Sequence, residues 1–298
     1  MKDKLIKWIQ NYTEQTNAKG YVLGISGGKD SAVVAALLCE AIGKDKVLGI
    51  LMPNGTQSDI SDSYEVCEVL GIDYQVVNIR ESYDAISRQI ESVAEVLYPG
   101  DEASYHAATE INCDTYNITS EAAINIAPRL RMTTLYTIAQ SVGYRVAGTG
   151  NRSERYVGYC TKWGDMAADI NPIAGLTMHE VLDLGDELGL PHHLVHKTPS
   201  DGLCGLSDED KMGFTYRQLD DYILKGSSGD EKVDKVIKKK HLMSAHKRGV
   251  YAPAYCIDEV DYAHYHWRED ECHDFENDHL DMTGVSYCDW TMICDVEE

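Results

Sequence analysis

Gly24-Ile25-Ser26-Gly27-Gly28-Lys29-Asp30-Ser31 gathers the residue types that handle phosphate. Gly27 and Gly28 let a backbone approach a ligand closely and take up positive φ. Ser26 and Ser31 bring hydroxyl donors, and Lys29 brings a cation. Asp30 is the odd member, because a carboxylate repels phosphate. It makes sense there if it holds Mg²⁺ that bridges to the phosphates. The spacing is neither Gly-x-x-x-x-Gly-Lys-Ser/Thr nor Gly-x-Gly-x-x-Gly. A second candidate is Gly148-Thr149-Gly150-Asn151-Arg152-Ser153-Glu154. It mimics Gly-x-Gly-x-x-Gly with Ser in the last place, but a dinucleotide fingerprint belongs on the first strand. We therefore read two loops lining one pocket at the carboxyl edge of one sheet.

The elements around these loops support that placement. Tyr21-Val22-Leu23-Gly24-Ile25 is a short apolar run that reads as a buried strand, and Ala32–Leu38 reads as a buried helix. The first loop thus joins a strand to a helix N-terminus, where free N–H groups favour an anion. Further strands are expected at 46–52, 74–79 and 144–149. Helices are expected at about 3–16, from Ser58 or Ser61 to Leu70, at 83–97 and at 120–142, where Pro128 starts a new helix or kinks the old one. Others are expected near 178–188, 208–210, 216–224 and 231–240. Alternating strands and helices mean a single doubly wound, mostly parallel α/β sheet flanked by helices. Residues 98–119 break this pattern as a long polar excursion.

Composition narrows the function classes. The chain has 298 residues and a formal net charge of -22, and no basic patch of any size, which argues against nucleic acid. No apolar run approaches membrane-spanning length, and the N-terminus lacks a signal-peptide core, so we expect a cytoplasmic protein with no membrane partner. Nine cysteines, with no Cys-x-x-Cys, read as reduced, mostly buried thiols. Acidity concentrates at the end: from Asp258 to Glu298 there are about fourteen carboxylates against Arg268 alone. The domain reading is therefore a catalytic domain over 1–257 and an acidic extension over 258–298. His264, His266, Cys272, His273, Asp274 and His279 lie in that extension, but at no zinc-ligand spacing. Its aromatics, among them Trp267 and Trp290, argue that part of it packs against protein.

Ser-Gly-Gly-x-Asp-Ser after a strand resembles the pyrophosphate loop of the ATP pyrophosphatase superfamily, whose members have an adenine nucleotide alpha-hydrolase-like fold. Several further motifs resemble NAD synthetase in particular. They are Gly148–Glu154, Thr161-Lys162-Trp163-Gly164-Asp165, Ala168-Asp169-Ile170-Asn171-Pro172, Arg129-Leu130-Arg131-Met132, Lys197-Thr198-Pro199-Ser200, Ser207-Asp208-Glu209-Asp210 and His246-Lys247-Arg248. They cover about residues 20 to 250 in the family's order.

The resemblance implies a C–N ligase. It would adenylate the nicotinate carboxylate of deamido-NAD with ATP, release pyrophosphate, and let ammonia displace AMP to give NAD. By the same resemblance, Gly24, Ile25, Ser26, Gly27, Gly28, Lys29, Asp30 and Ser31 would hold ATP, with Thr149, Met178 and Ser200. Arg129, Lys162, Asp169, His246 and Lys247 would contact deamido-NAD, and Asp30 and Glu154 would ligate Mg²⁺. A homodimer is implied, and no side-chain general base. Met178 stands where the family often has Lys contacting ATP, a lost cation for which Lys197 is a candidate substitute. The first strand begins too early to leave room for an N-terminal glutaminase domain, so free ammonia is the expected nitrogen donor.

Other readings stay open at this level. Several of these residues also have a plainer, less favoured reading: Asp169 as a helix cap, Arg129 as a surface cation, His246-Lys247-Arg248 as a solvated basic end, and Glu154 as a first-turn carboxylate, which does not exclude metal binding. In place of NAD synthesis, another ATP-pyrophosphatase-type amidating enzyme or a catalytically impaired nucleotide-binding protein would carry the same loop.

Overall fold

The computed structural model describes residues 1–97, 120–197 and 208–248. The polar excursion, Ser200 and its loop, and the acidic extension with its His and Cys residues lie outside the described residues. Two compact units divide after Tyr216, and each is described by itself.

The first unit begins with α1 (Lys2–Gln15), β1 (Tyr21–Gly24), α2 (Lys29–Ile42), β2 (Val47–Leu51), α3 (Ile60–Leu70), β3 (Asp73–Val76) and α4 (Arg80–Leu97). It continues with α5 (Ser120–Ile124), α6 (Ile126–Val142), β4 (Arg145–Val146), α7 (Arg152–Val157), α8 (Met178–Glu187), α9 (His192–Val195) and α10 (Asp208–Met212). All four strands are parallel, in the order β3-β2-β1-β4. β1 lies between β2 and β4, and its Tyr21–Gly24 register faces Val47–Ile50.

Period-two alternation explains how the sheet is covered on both faces. Tyr21, Leu23 and Ile25 point into one apolar cluster with Val47, Leu51 and the buried face of α2. Val22, Ile50 and Val146 point into the other, with Ala127 and Ala139 of α6. α2 is buried nearly all round, with Val33, Val34, Leu37 and Leu38 fully covered. Each such side chain contributes about 1.5–3 kcal/mol of burial, enough to fix the helix whose first turn carries Lys29 and Asp30.

Three local expectations need correction. α3 is preceded by Asp59 rather than capped by Ser58 or Ser61, and the Asp59 side chain caps nothing. Its carboxylate instead accepts from Gln57 at 2.9 Å and Lys197 at 2.7 Å. β3 stops at Val76 although Val77 N–H still donates to Leu51 C=O; Asn78 then turns back, its side chain bonding Gly55 at both N–H and C=O. β4 is only two residues long because Ala147 leaves to bridge Ile170, and Gly148 N–H donates to Ile170 C=O. Pro128 sits third in α6, inside the first turn, where the missing N–H costs nothing.

The second unit contains most of α11 (Tyr216–Lys225), with α12 (Glu231–Met243) and α13 (Ala245–Arg248). Asp230 caps α12 by accepting from Lys232 N–H at 2.8 Å. Arg248 closes back on α12, donating to His241 C=O at 2.8 Å and Ser244 Oγ at 2.9 Å. Among the described residues, no helix is long and apolar enough to cross a membrane.

Candidate active site

The first loop is closed on itself by its two serines. Ser26 Oγ accepts from Gly28 N–H at 3.2 Å. Ser31 Oγ accepts from Ser26 N–H at 3.2 Å and donates to Gly28 C=O at 3.0 Å. Gly27 is needed for conformation and for space: its φ is +77°, and a Cβ there would lie 2.9 Å from Asp62 Cβ and from Ser63 N. Gly28 precedes α2, whose start has no capping side chain. The first amides of a 14-residue helix are thus left to the loop, the arrangement that suits a phosphate.

Asn151 joins this loop to the second. Its Nδ2 donates to Asp30 Oδ1 at 2.9 Å, across 121 residues of sequence. The same side chain caps α7, with Glu154 N–H donating to Asn151 Oδ1 at 3.0 Å and Asn151 N–H donating to Glu154 Oε2 at 3.2 Å. This reciprocal capping box fixes Glu154 beside Asp30. Lys29 is 6 % exposed and pairs with Asp30 Oδ2 at 3.0 Å. Burial opposes its charge, but Asp30, Glu154 and Asp208 outweigh that and hold its pKa above the ordinary lysine value. Loss of water, then the neighbouring Asp30 charge, pushes Glu154 up to about 8.

Two adjacent carboxylates, one kept from ionising by its surroundings, form a site that gains from a hard divalent cation. Asp30 and Glu154 fit Mg²⁺: each bonded oxygen retains a further lone pair, and phosphate oxygens would supply other ligands. Among the described residues, no group of three or more His, Cys, Asp or Glu is placed to hold a metal ion by itself.

The remaining expected residues divide. Thr149 lies half-buried in the second loop. Met178 opens α8 almost fully buried, and its N–H donates to Ser153 Oγ at 3.0 Å, so this position meets the second loop through its backbone. Arg129 Nε donates to Lys162 C=O at 3.4 Å, and Lys162 Nζ stands 5.7 Å from the centre of the Trp163 ring. Trp163 is half exposed and has φ of +60°. Asp169 is not a helix cap: its Oδ2 accepts from Val146 N–H at 2.8 Å, and its C=O accepts from Tyr12 OH at 2.6 Å. Lys197 is held by Asp59 and Asp62, each at 2.7 Å. His246 and Lys247 belong to the second unit, in α13, where His246 Nδ1 lies 3.1 Å from Met243 C=O.

Sequence reasoning gave no role to Asn151, Tyr159, Asp208 or Tyr216. Asp208 is buried, accepting from Tyr159 OH at 2.9 Å and from Tyr216 OH at 3.5 Å. The Tyr216 ring is fully buried, with Lys29 Nζ 5.7 Å from its centre. Asp208 sits in a motif the sequence does display; its contact with Tyr216 has no local signature.

A glycine-bent anion loop at the carboxyl edge of a parallel sheet, its Asp30 joined to Glu154 through Asn151, defines a nucleotide-binding α/β protein of the phosphate-handling kind. Residues 1–252 match the family described as NAD synthase. The NH(3)-dependent NAD(+) synthetase of Carboxydothermus hydrogenoformans is 40% identical over 83% of this chain and 94% of its own length. That of Thermococcus sibiricus is 39% identical over 74% of this chain and 78% of its own. Among solved structures, NMN synthetase from Francisella tularensis matches with a TM-score of 0.70 and 34% identity, over 86% of this chain and 97% of that one. NH3-dependent NAD synthetase from Campylobacter jejuni matches with 0.63 and 26%, over 86% and 96%. The chain belongs to the NAD synthase family.

Proposed function

We infer that this protein is a C–N ligase that amidates deamido-NAD with ammonia at the expense of ATP, giving NAD, AMP and pyrophosphate. The observation that carries the reading is the junction of the serine-closed loop with the Asp30–Glu154 pair through Asn151. The motif resemblance supplies the acceptor, and relatives named NH(3)-dependent NAD(+) synthetase support ammonia as the nitrogen source.

The chemistry follows from these residues. A carboxylate is a poor acyl donor until one oxygen becomes a phosphate leaving group. A nicotinate oxygen attacks the α-phosphorus of ATP, and the bond from that phosphorus to the bridging oxygen breaks, releasing pyrophosphate. Ammonia then adds to the acyl carbon, loses a proton, and AMP leaves with the electron pair. This gathers anions in one place, so fixed positive charge must offset them. The α2 N-terminus, the loop amides and Lys29 face the triphosphate. Mg²⁺, held by Asp30 and Glu154, supplies further charge neutralisation when bound. By the resemblance, Arg129, Lys162 and Asp169 contact the deamido-NAD, and Thr149 and the backbone at Met178 contribute to the ATP site. Positioning and charge stabilisation account for the rate without a side-chain base. We further propose a cytoplasmic homodimer, with the catalytic domain spanning 1–257 and the acidic segment 258–298 an extension of it.

One observation favours a second acceptor. The structural likeness to the Francisella tularensis NMN synthetase, at a TM-score of 0.70, exceeds the 0.63 of the Campylobacter jejuni NAD synthetase. In this reading the acceptor is the nicotinate mononucleotide. Competition decides. With ATP, Mg²⁺ and ammonium, equal concentrations of the two nicotinate acceptors should give mainly NAD. Mainly mononucleotide product would replace the dinucleotide reading. Glutamine in place of ammonium should give no product; equal turnover with glutamine would contradict ammonia as the donor.

A further inference from the structure

Lys29 raises a question that the ATP loop alone does not answer. A buried ammonium on a flexible stem needs more than one partner to stay in one place. Asp30 holds it on one side at 3.0 Å, but Asp30 is also the carboxylate committed to the metal. On another side, Lys29 Nζ stands over the fully buried Tyr216 ring, 5.7 Å from its centre, within cation–π range. The orientation of that ring therefore matters to Lys29, and Asp208 holds the ring's hydroxyl end.

Asp208 is 8 % exposed and accepts from two tyrosines on different elements. Its Oδ2 takes the Tyr216 hydroxyl at 3.5 Å, and its Oδ1 takes the Tyr159 hydroxyl at 2.9 Å. Tyr159 is anchored to the end of α7, its N–H donating to Glu154 C=O at 2.9 Å. Glu209, the next residue, accepts from Tyr216 N–H at 2.8 Å, so both ends of Tyr216 are tied to the start of α10. A buried carboxylate is retained against its desolvation cost only where its partners use it. Here it ties the Lys29 wall to the helix that carries Glu154, and its charge adds to the field that keeps Lys29 an ammonium.

We propose that Asp208 is a positioning residue for ATP activation: through Tyr216 and Tyr159 it holds the Lys29 ammonium at the phosphate loop. This rests on the reading that the loop binds ATP. Asp208 touches neither substrate nor reacting atoms in this scheme, so its loss acts on ATP and spares the acceptor.

Asp208→Asn keeps the volume and removes the charge; Tyr216→Phe keeps the ring over Lys29 and removes only the hydroxyl that Asp208 holds. ATP binding by titration calorimetry, with no acceptor present, should weaken about tenfold in each variant, the size of one lost charge-assisted contact. In steady state, the KM for ATP should rise by about as much while the KM for deamido-NAD stays within about twofold. The double variant should bind ATP no worse than the weaker single one, because both changes cut one path. Wild-type ATP affinity in both variants would overturn the proposal, as would equal rises in both KM values with a lowered melting temperature. If Asp208→Asn fails to fold, Tyr216→Phe decides alone. Should the wild-type chain itself bind no ATP, the functional reading falls as well; a wild type that binds ATP no better than the variants removes only this inference.

Discussion

Glu154→Gln tests the electrostatics of the site without disturbing its frame. Gln serves the capping box as Glu does, so Asn151 N–H keeps its acceptor and α7 its start. What disappears is a titration. In the folded protein without metal, loss of water and the Asp30 charge hold Glu154 up to about 8 against an ordinary 4.5. Folded protein therefore keeps a proton that the unfolded chain has already released. Stability from this group is fully present below about pH 4.5 and is lost as pH rises through about 8. At about 1.4 kcal/mol per pH unit, the span corresponds to an upper bound of about 4–5 kcal/mol. Glu154 keeps some solvent contact, and screening there brings our expectation to about 2 kcal/mol, or about 5 °C in melting temperature for a chain of this size. The assay is thermal unfolding with a chelator present, at intervals from pH 5 to 9, on both proteins. The variant should match the wild type near pH 5 and exceed it by about 5 °C near pH 9. Added Mg²⁺ should stabilise the wild type more at high pH than at low, and the variant little at either. Parallel melting curves across the range would refute the claim that Glu154 is held protonated beside Asp30.

Gly27→Ala should lower ATP affinity by at least about tenfold and stability by about 2 kcal/mol, since it combines a left-handed backbone with contacts to Asp62 and Ser63 at 2.9 Å; unchanged ATP binding by calorimetry would contradict the tight turn. Asn151→Ala removes both the α7 cap and a donor to Asp30, so the melting temperature should fall by about 3–6 °C and Mg²⁺ affinity should fall with it; loss of one without the other would separate roles we join. Lys197→Met frees Asp59, whose carboxyl Lys197 holds below its ordinary value. That stabilisation exists above the unfolded pKa and disappears as pH falls through the folded one, so the variant should melt about 1–2 °C lower at pH 7, with the gap closing as pH falls below about 4. The Cys39 and Cys67 thiols, pushed up to about 11 by burial, should react with a thiol reagent at pH 8 about 100-fold more slowly than a free cysteine; mass spectrometry of labelled peptides reads this directly.

The parts of the site legible in sequence are those with local causes. The Tyr21–Ser31 stretch announces itself because an apolar strand, two glycines and an apolar helix each constrain their own backbone. The Asn151–Glu154 capping box is likewise a short-range pattern. What escaped was set by tertiary contact. Nothing near Asp59 in sequence says that Lys197 will claim its carboxylate and leave α3 without a cap. Asp169 looks like a helix cap, and its Oδ2 instead serves Val146 N–H, 23 residues away. Tyr216 reads as one more apolar residue of a helix until its ring is found over Lys29. β4 looks six residues long, and a competing bridge to Ile170 takes its second half.

ATP cleavage at this loop should be coupled one to one to amidation of deamido-NAD. The direct measurement is pyrophosphate and NAD together, from purified protein with ATP, Mg²⁺ and ammonium, with and without deamido-NAD. Equal amounts of both, appearing only when deamido-NAD is present, is the result this account requires. Pyrophosphate released without the acceptor, or NAD formed without stoichiometric pyrophosphate, would contradict it.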